Sequence, residues 1–586
     1  MNTFALDFET YYDKDCSIKT LGPLGYFSHP NFDAYMVSVV GDEGTEYVGH
    51  PKDFNWSLLG GNRVLSHNAS FDETLYLFGV KEGLWDSTNY SEWHCTADMC
   101  AYCNLPRSLK AASQVAFDLE VSKSTRDNMS GKRWENMEED FKEEVIEYAL
   151  KDSILCLDLW KKFEQDWPEA ERLVSRINRT IVQRGIPINA SLLKKQQEQI
   201  TKLRFDTENK IPWINEMPVL SRKAFNEECR KHGIQPPASL ALSSDEANMW
   251  IDDNTEEYPW VSSVRDYRRI NSLKRKLDSF DYATMSDSRY YGGLMYMGAH
   301  TGRFSGSGGN LNLQNLPRGE MFGVDLRSLI STDKTHKLIV ADLSQIEVRT
   351  LCWLSGDHAS LKEIRETDDI YEAFAIRFGK WDKSKGDLKD ENPKLRHMVK
   401  QMVLGCGYGA SANKFAIISN MSVEEATKAV SLYRLKMNKV CGLWNRLQRK
   451  MHVAYSTNRE FKLKLPSGRC LNYGKIKTVL QNGRRTFIAS IYKGSKKVPV
   501  RLWGGLLAEN YSQALAREVF ADILVRIEKE GMKTIFHVHD EVIVEETNKK
   551  AEDSLQKVLE IMKEPPTWIP DLPLDAEGKI LKKYEK

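Results

Sequence analysis

The sequence predicts an α/β protein of more than one domain. Three observations carry this. At 586 residues the chain far exceeds the ~100–200 of a typical domain. Its first third alternates strand-like apolar runs (Phe4 to Leu6, Tyr35 to Val40, Arg63 to Ser66) with helical patterns. A second strong strand, "HKLIVAD" ending at Asp342, runs straight into helical spacing and is answered near residue 540 by the hairpin pattern "TIFHVHDEVIVEE".

Composition limits the function classes. With 41% hydrophobic and 28% charged residues the chain has globular character. No apolar run approaches the ~20 residues that cross a bilayer, and Met1 to Thr10 lacks the basic and apolar regions of a secretion signal. A cytoplasmic protein without a membrane partner is expected, and ten scattered cysteines fit a reducing compartment. Lys plus Arg (83) nearly cancel Asp plus Glu (82), so any surface for a polyanion must be local. "VRDYRRINSLKRKL" is one candidate, with Arg265, Arg268, Arg269, Lys274, Arg275 and Lys276 on one helix; a solvated helix face explains it equally well.

The first third closes on "DFKEEVIEYALKDSILCLDLWKKF", where Val145, Tyr148, Ala149, Leu155 and Leu159 recur at helical spacing. Residues 166 to 285 read as mostly helical. "YYGGLMYMGAHTGRFSGSGGNLNLQNLP" is too rich in Gly for regular structure and suits close backbone approach to a ligand. A helix-rich middle follows. "HCTADMCAYC" offers His94, Cys95, Cys100 and Cys103 to a metal, but a single C-x-x-C suits the apolar face of a helix better than a zinc site.

"FALDFET" begins as a strand with both faces covered and ends in Asp7 and Glu9, which point the same way and repel unless a cation lies between them. "LSHNASFDETLY" adds Asp72 after another strand-like run, and "EYALKD" places Tyr148 and Asp152 on one helix face. Alone, the Asp7–Glu9 pair is usually an exposed strand face, and each of the others reads as an ordinary surface group. Together they make four carboxylates and a phenol, a set able to hold two divalent ions at a phosphodiester.

A second set follows. Asp342 ends its strand, where an aspartate is also a common helix cap, and Asp540 with His539 sits at a hairpin tip. In "RHMVKQMVLGCGYG", Arg396, Lys400, Leu404 and Tyr408 fall on one arc of a helix. Two cations and a ring on one face suit a triphosphate beneath a base, and Gly405, Gly407 and Gly409 point to close packing.

"DFET", "NASFD" and "YALKD" resemble the three motifs of DEDD-type 3′–5′ exonucleases with a tyrosine in the last motif. "ADLSQIEVR", "RHMVKQMVLGCGYG" and "HVHDE", preceded by "TGRFS…NLQNLP", resemble motifs A, B and C of the family A, polymerase I-like DNA polymerases of phage and prophage type. The resemblance implies a ribonuclease H-like exonuclease domain over 1–165 and a right-hand polymerase domain over 166–586. Within the latter it implies a thumb at about 166–285, a palm at about 286–360 and 500–586, and fingers at about 361–499. It leaves no room for a 5′ nuclease domain.

The function implied is DNA-dependent DNA synthesis with 3′–5′ proofreading, replicative in a phage or prophage, in the host cytoplasm. Asp7, Glu9, Asp72 and Asp152 would ligate two Mg²⁺ ions while Tyr148 orients water; Asp342 and Asp540 would hold two more, Mn²⁺ being an allowed substitute. Arg396, Lys400, Leu404, Tyr408, Glu347 and Gln345 would line the nucleotide site, with Lys400 the proton donor and Glu347 the gate against a ribose 2′-hydroxyl. Arg303, Gln513, His539 and Lys274 would contact DNA. Primed template DNA, dNTPs and replication proteins such as a helicase or single-strand-binding protein are the partners implied, for a monomer. Leu404 departs from the family's usual Phe or Tyr, so dideoxynucleotide discrimination does not carry over. A working exonuclease joined to an inert DNA-holding platform, or a non-catalytic nucleic-acid-binding protein, would each lack part of one set, and neither set lacks a member.

Overall fold

The computed structural model describes residues 1–119, 124–241, 244–284, 287–306, 311–481 and 483–585. Residues 307–310, in the Gly-rich stretch, lie outside these.

The first sheet is built on β1 (Thr3–Glu9), with β2 (Met36–Gly41), β3 (Glu46–Gly49), β4 (Arg63–Ser66) and β5 (Glu92–Cys95) in the order β3-β2-β1-β4-β5. β1 pairs antiparallel with β2 and parallel with β4, so it is central. Its Phe4, Leu6 and Phe8 pack towards α1 (Ala69–Lys81) in a core with Leu75 and Tyr76. Ala5, on the alternate face, packs with Cys100 of α2 (Thr96–Tyr102) and with Leu157, Leu159 and Trp160 from the long helix near the end of this unit. The short α3 (Ser124–Met129) precedes that helix, α4 (Glu139–Phe163), which is stitched to β2 where Ser38 Oγ donates to the Ala149 carbonyl at 2.8 Å and meets Ser153 Oγ at 2.6 Å. Asp7 and Glu9 share the Ala5 face, which is why they meet α4.

Helices dominate the next stretch: α5 (Glu169–Arg184), α6 (Ala190–Glu208) and α7 (Pro259–Ala283). The second sheet starts with β6 (His336–Leu343), followed by α8 (Ile346–Ser355), α9 (Pro393–Cys406) and α10 (Asn438–Ser456). The expected helix-rich middle then gives way to strands: a hairpin of Glu460–Lys464 and Cys470–Lys475, and a three-stranded sheet of β7 (Lys477–Gln481), β8 (Arg484–Lys493) and β9 (Lys496–Leu502). The chain returns through α11 (Gly504–Lys529), β10 (Lys533–Val538), β11 (Glu541–Thr547), α12 (Ala551–Lys563) and β12 (Ala576–Leu581), giving a sheet in the order β10-β11-β6-β12.

β6 alternates as its apolar content demands. Ile339, Ala341 and Leu343 enter the core shared with α8 and α11, while Leu338 and Val340 enter the core with Leu193, Ile200, Leu273 and Leu277 of α6 and α7. Both faces are covered, and Asp342 ends the second row.

Candidate active sites

At the open end of the second sheet, Asp342 pairs in register with Glu541 and with Glu577. The β10–β11 turn carries His539 in the left-handed region (φ 57°), and the Leu343 amide donates to the Asp540 carbonyl at 3.1 Å. Two aspartates nearly two hundred residues apart are therefore neighbours. Asp342 is not the cap of α8; that position is Gln345, also left-handed (φ 46°). Glu541 is buried and accepts from Tyr584 Oη at 2.5 Å. Arg303, Ile346, Arg517, His539 and Asp540 line one cleft.

Glu347, in the first turn of α8, ion-pairs with Arg303 and accepts from Tyr408 Oη at 3.2 Å. Burial, then the Glu347 charge, pushes the Tyr408 phenol up beyond its ordinary range, so it stays a neutral donor. Ser512 Oγ donates to the Glu347 carbonyl at 3.0 Å and meets Thr350 at 2.7 Å, fastening α8 to α11. Gln513, one residue on, contacts Glu509 at 3.4 Å.

The single helical arc proposed for Arg396, Lys400, Leu404 and Tyr408 needs correction: α9 stops at Cys406, and Tyr408 lies in the turn after it. The turn is Gly-dependent, since Gly409 has φ 83°. Close packing fixes it from outside as well, for a Cβ on Gly505 would sit 2.2 Å from the Tyr408 carbonyl oxygen. On α9 itself, Arg396 holds Asp369 with both Nε (2.6 Å) and Nη2 (3.2 Å), and the Arg396 and Lys400 charges stand 5.2 and 5.9 Å from the Tyr371 ring centre. Leu404 is 43% exposed.

In the first sheet, the Phe8 amide, between Asp7 and Glu9, donates to Asp72 Oδ1 at 3.3 Å. Asp152 and Tyr148 on α4 hydrogen-bond each other beside these acids. Burial, then Asp152, pushes Asp7 up to about 7; Glu9 and Asp72 rise by burial and then by the Asp7 charge, and Asp152 rises by burial. Arg126 of α3 offsets all four, and the Arg126 carbonyl accepts from Tyr12 Oη at 2.8 Å. Among the described residues no three His, Cys, Asp or Glu side chains close up to metal-ligating distance. The acids of both sites are hard oxygen donors, the chemistry that suits Mg²⁺.

The family model for DNA polymerase family A matches residues 242–586, more than half of the chain. The chain belongs to DNA polymerase family A. This DNA-directed DNA polymerase is 25% identical, over an alignment 676 positions long, to the DNA polymerase of Bacillus phage SP02, covering 100% of both chains. It is 25% identical to the thermostable DNA polymerase I of Thermus filiformis, with 75% of this chain and 51% of that one aligned, so it spans about half of that relative. Its fold matches the POL domain of Pol1 from M. smegmatis, solved with DNA primer-template and dNTP, at a TM-score of 0.71 and 17% identity over 99% of this chain and 95% of that one. Family A polymerases use divalent metal ions. No helix among the described residues is long and apolar enough to cross a membrane.

Sequence reasoning missed several residues around these sites. Arg469 donates to Glu518 Oε1 (2.6 Å) and to the Thr301 carbonyl (2.7 Å), two residues before Arg303, and buried Arg517 binds Glu171 of α5. Asp369 and Arg126 were also passed over. "TDDIY" just ahead of a helix was the available signal for Asp369. The basic run of α7 is partly spent internally: Lys274 pairs with Asp278 at 2.8 Å and Arg265 with Asp252 at 2.6 Å. In "HCTADMCAYC", Cys100 is buried in the core and His94 stacks on Trp160 at 5.0 Å.

Proposed function

We propose that this polymerase is a phage-type replicative enzyme that extends a primer in the second sheet's cleft and removes mispaired 3′ ends at the first sheet. The adjacency of Asp342 and Asp540 at one sheet end supports synthesis there, and the convergence of Asp7, Glu9, Asp72, Tyr148 and Asp152 supports the second activity.

Asp342 and Asp540 would hold two Mg²⁺ ions in the synthetic site, and Asp7, Glu9, Asp72 and Asp152 two more in the editing site. Bound there, such ions lower the pKa of the attacking oxygen and neutralise the phosphate charge. The protein's own groups do the rest. Arg396 exchanges Asp369 for the incoming triphosphate, and exposed Lys400 gives a proton to the leaving pyrophosphate. Tyr408 stacks at the base, Gln345 and Leu404 border the nucleotide, and Glu347, held by Arg303 and Tyr408, crowds the sugar's 2′ position. Arg303, Gln513, His539 and Lys274 contact the primed template. In the editing site Tyr148 orients the attacking water. The thumb, palm and fingers follow the boundaries given above, and replication proteins of the helicase or single-strand-binding kind would act with the monomer.

A gel assay on a 5′-labelled primed template, with and without dNTPs, tests both halves. Extension with dNTPs and metal-dependent shortening without them is expected; extension alone would remove the editing claim.

A further inference from the structure

From Phe461 to Ala508 the chain has eleven Lys and Arg and no Asp or Glu. At the chain's average of 82 acids in 586 residues, about seven would be expected in that length. The segment includes the three-stranded sheet β7–β9. Its register places Lys477 opposite Ile488, Ile488 opposite Arg501 and Tyr492 opposite Lys497, so these five share one face. The other face is covered: Phe487 stacks on His452 of α10 at 4.5 Å and Leu502 enters the core. On the open face Lys477, Lys497 and Arg501 are exposed, and among the described residues none of the three makes an ion pair. Lys497 stands 5.4 Å from the Tyr492 ring centre, and Arg501 stands 6.0 Å from that of exposed Trp503, at the start of α11.

The sheet also bridges the two units. At the β8–β9 turn the Gly494 carbonyl accepts from the Arg107 amide at 3.4 Å and Ser495 Oγ from the Ser108 amide at 3.0 Å. Tyr492 lines a cavity with Tyr102 and Arg107 of the first unit and Met297, His300 and Arg469 on the side of the Arg303 loop. Unpaired cations interleaved with rings form a surface for single-stranded nucleic acid, the cations taking phosphates and the rings taking bases.

We propose that the open face of β7–β9 binds the frayed 3′ end of the primer strand as it passes between the two sites. This rests on the editing activity proposed above. The bridging position favours the primer over the unpaired template, because the face runs from the start of α11 to the unit that carries Asp7.

The test uses the full-length polymerase, a Lys477→Ala/Lys497→Ala/Arg501→Ala variant and a Tyr492→Ala variant. Fluorescence anisotropy in EDTA, across a KCl series, reads affinity for a matched primed template, the same duplex with a three-nucleotide mismatched 3′ end, and one with a longer 5′ template overhang. The triple variant should lose about tenfold affinity for the mismatched end only, with its log–log salt slope falling by about 2, near 0.7 per lost phosphate contact. Tyr492→Ala should weaken the same substrate with the slope unchanged. A Lys477→Arg/Lys497→Arg variant should bind as the wild type. Equal loss on matched DNA, loss that grows with template overhang, or no loss would each overturn the proposal. If the wild type shortens no 3′ end, the editing reading fails, while the anisotropy still decides whether this face binds a frayed strand.

Discussion

The Leu343 amide and the Asp540 carbonyl meet at 3.1 Å, tying the end of β6 to the tip of the β10–β11 hairpin. This hydrogen bond extends the antiparallel ladder that pairs Asp342 with Glu541, and so brings Asp342 and Asp540 to one sheet end. Several consequences can be measured.

Glu347 is gripped by Arg303 on one side and Tyr408 on the other. Glu347→Ala should therefore raise ribonucleotide incorporation relative to deoxyribonucleotide by roughly tenfold or more, the range for one steric or polar contact. Single-nucleotide kinetics with paired rNTP and dNTP check this. Unchanged discrimination would remove Glu347 from the gate.

Arg396 would trade Asp369 for the incoming triphosphate. Arg396→Ala should raise KM for dNTPs by about tenfold or more, as loss of a charge-assisted contact does. Asp369→Asn should change KM far less, because the arginine remains. Steady-state kinetics on a primed homopolymer separate the two.

Gly505 faces the Tyr408 carbonyl so closely that its Cβ would stand 2.2 Å away. Backbone must move to admit it. Gly505→Ala should cost about 1–3 kcal/mol of stability, as overpacking does, and lower kcat/KM for dNTPs by displacing the ring. Denaturant melts and kinetics on the same preparation check both.

Asp7, pushed up to about 7 by burial and Asp152, gives a pH signature. The folded state keeps a proton that the unfolded chain releases near its ordinary 3.8, so this group lowers stability as pH rises from about 4 to 7. A divalent ion that replaces the proton should reverse the loss. Mg²⁺ should raise the melting temperature more at pH 8 than at pH 5, and Asp7→Asn should flatten the pH dependence without Mg²⁺. Differential scanning calorimetry reads it.

Much of this was legible in the sequence, for physical reasons. Apolar runs ending in acids at Asp7 and Asp342 mark strands covered on both faces, and β1 and β6 are both central. Periodicity found α4 and the row containing Tyr148 and Asp152. It overran at Tyr408, because α9 stops at Cys406, left-handed Gly409 turns the chain, and packing against α11, not helical phase, sets the ring. Pairings across long separations, such as Arg469 with Glu518 or Leu343 with Asp540, leave no local trace. The α7 cations drew notice as a cluster although some are paired. The basic sheet β7–β9 escaped it because its mark is a lack of acids spread over 48 residues.

If synthesis and editing use separate carboxylate sets, a primed-template gel run with three proteins, Asp342→Asn, Asp540→Asn and the double variant Asp7→Ala/Glu9→Ala, separates the two activities. The first two should lose extension by roughly a thousandfold or more, as loss of several kcal/mol of charge stabilisation requires, yet still shorten 3′ ends, while the third should extend normally and shorten none. Normal extension by Asp342→Asn and Asp540→Asn, or undiminished metal-dependent shortening by the double variant, would contradict it.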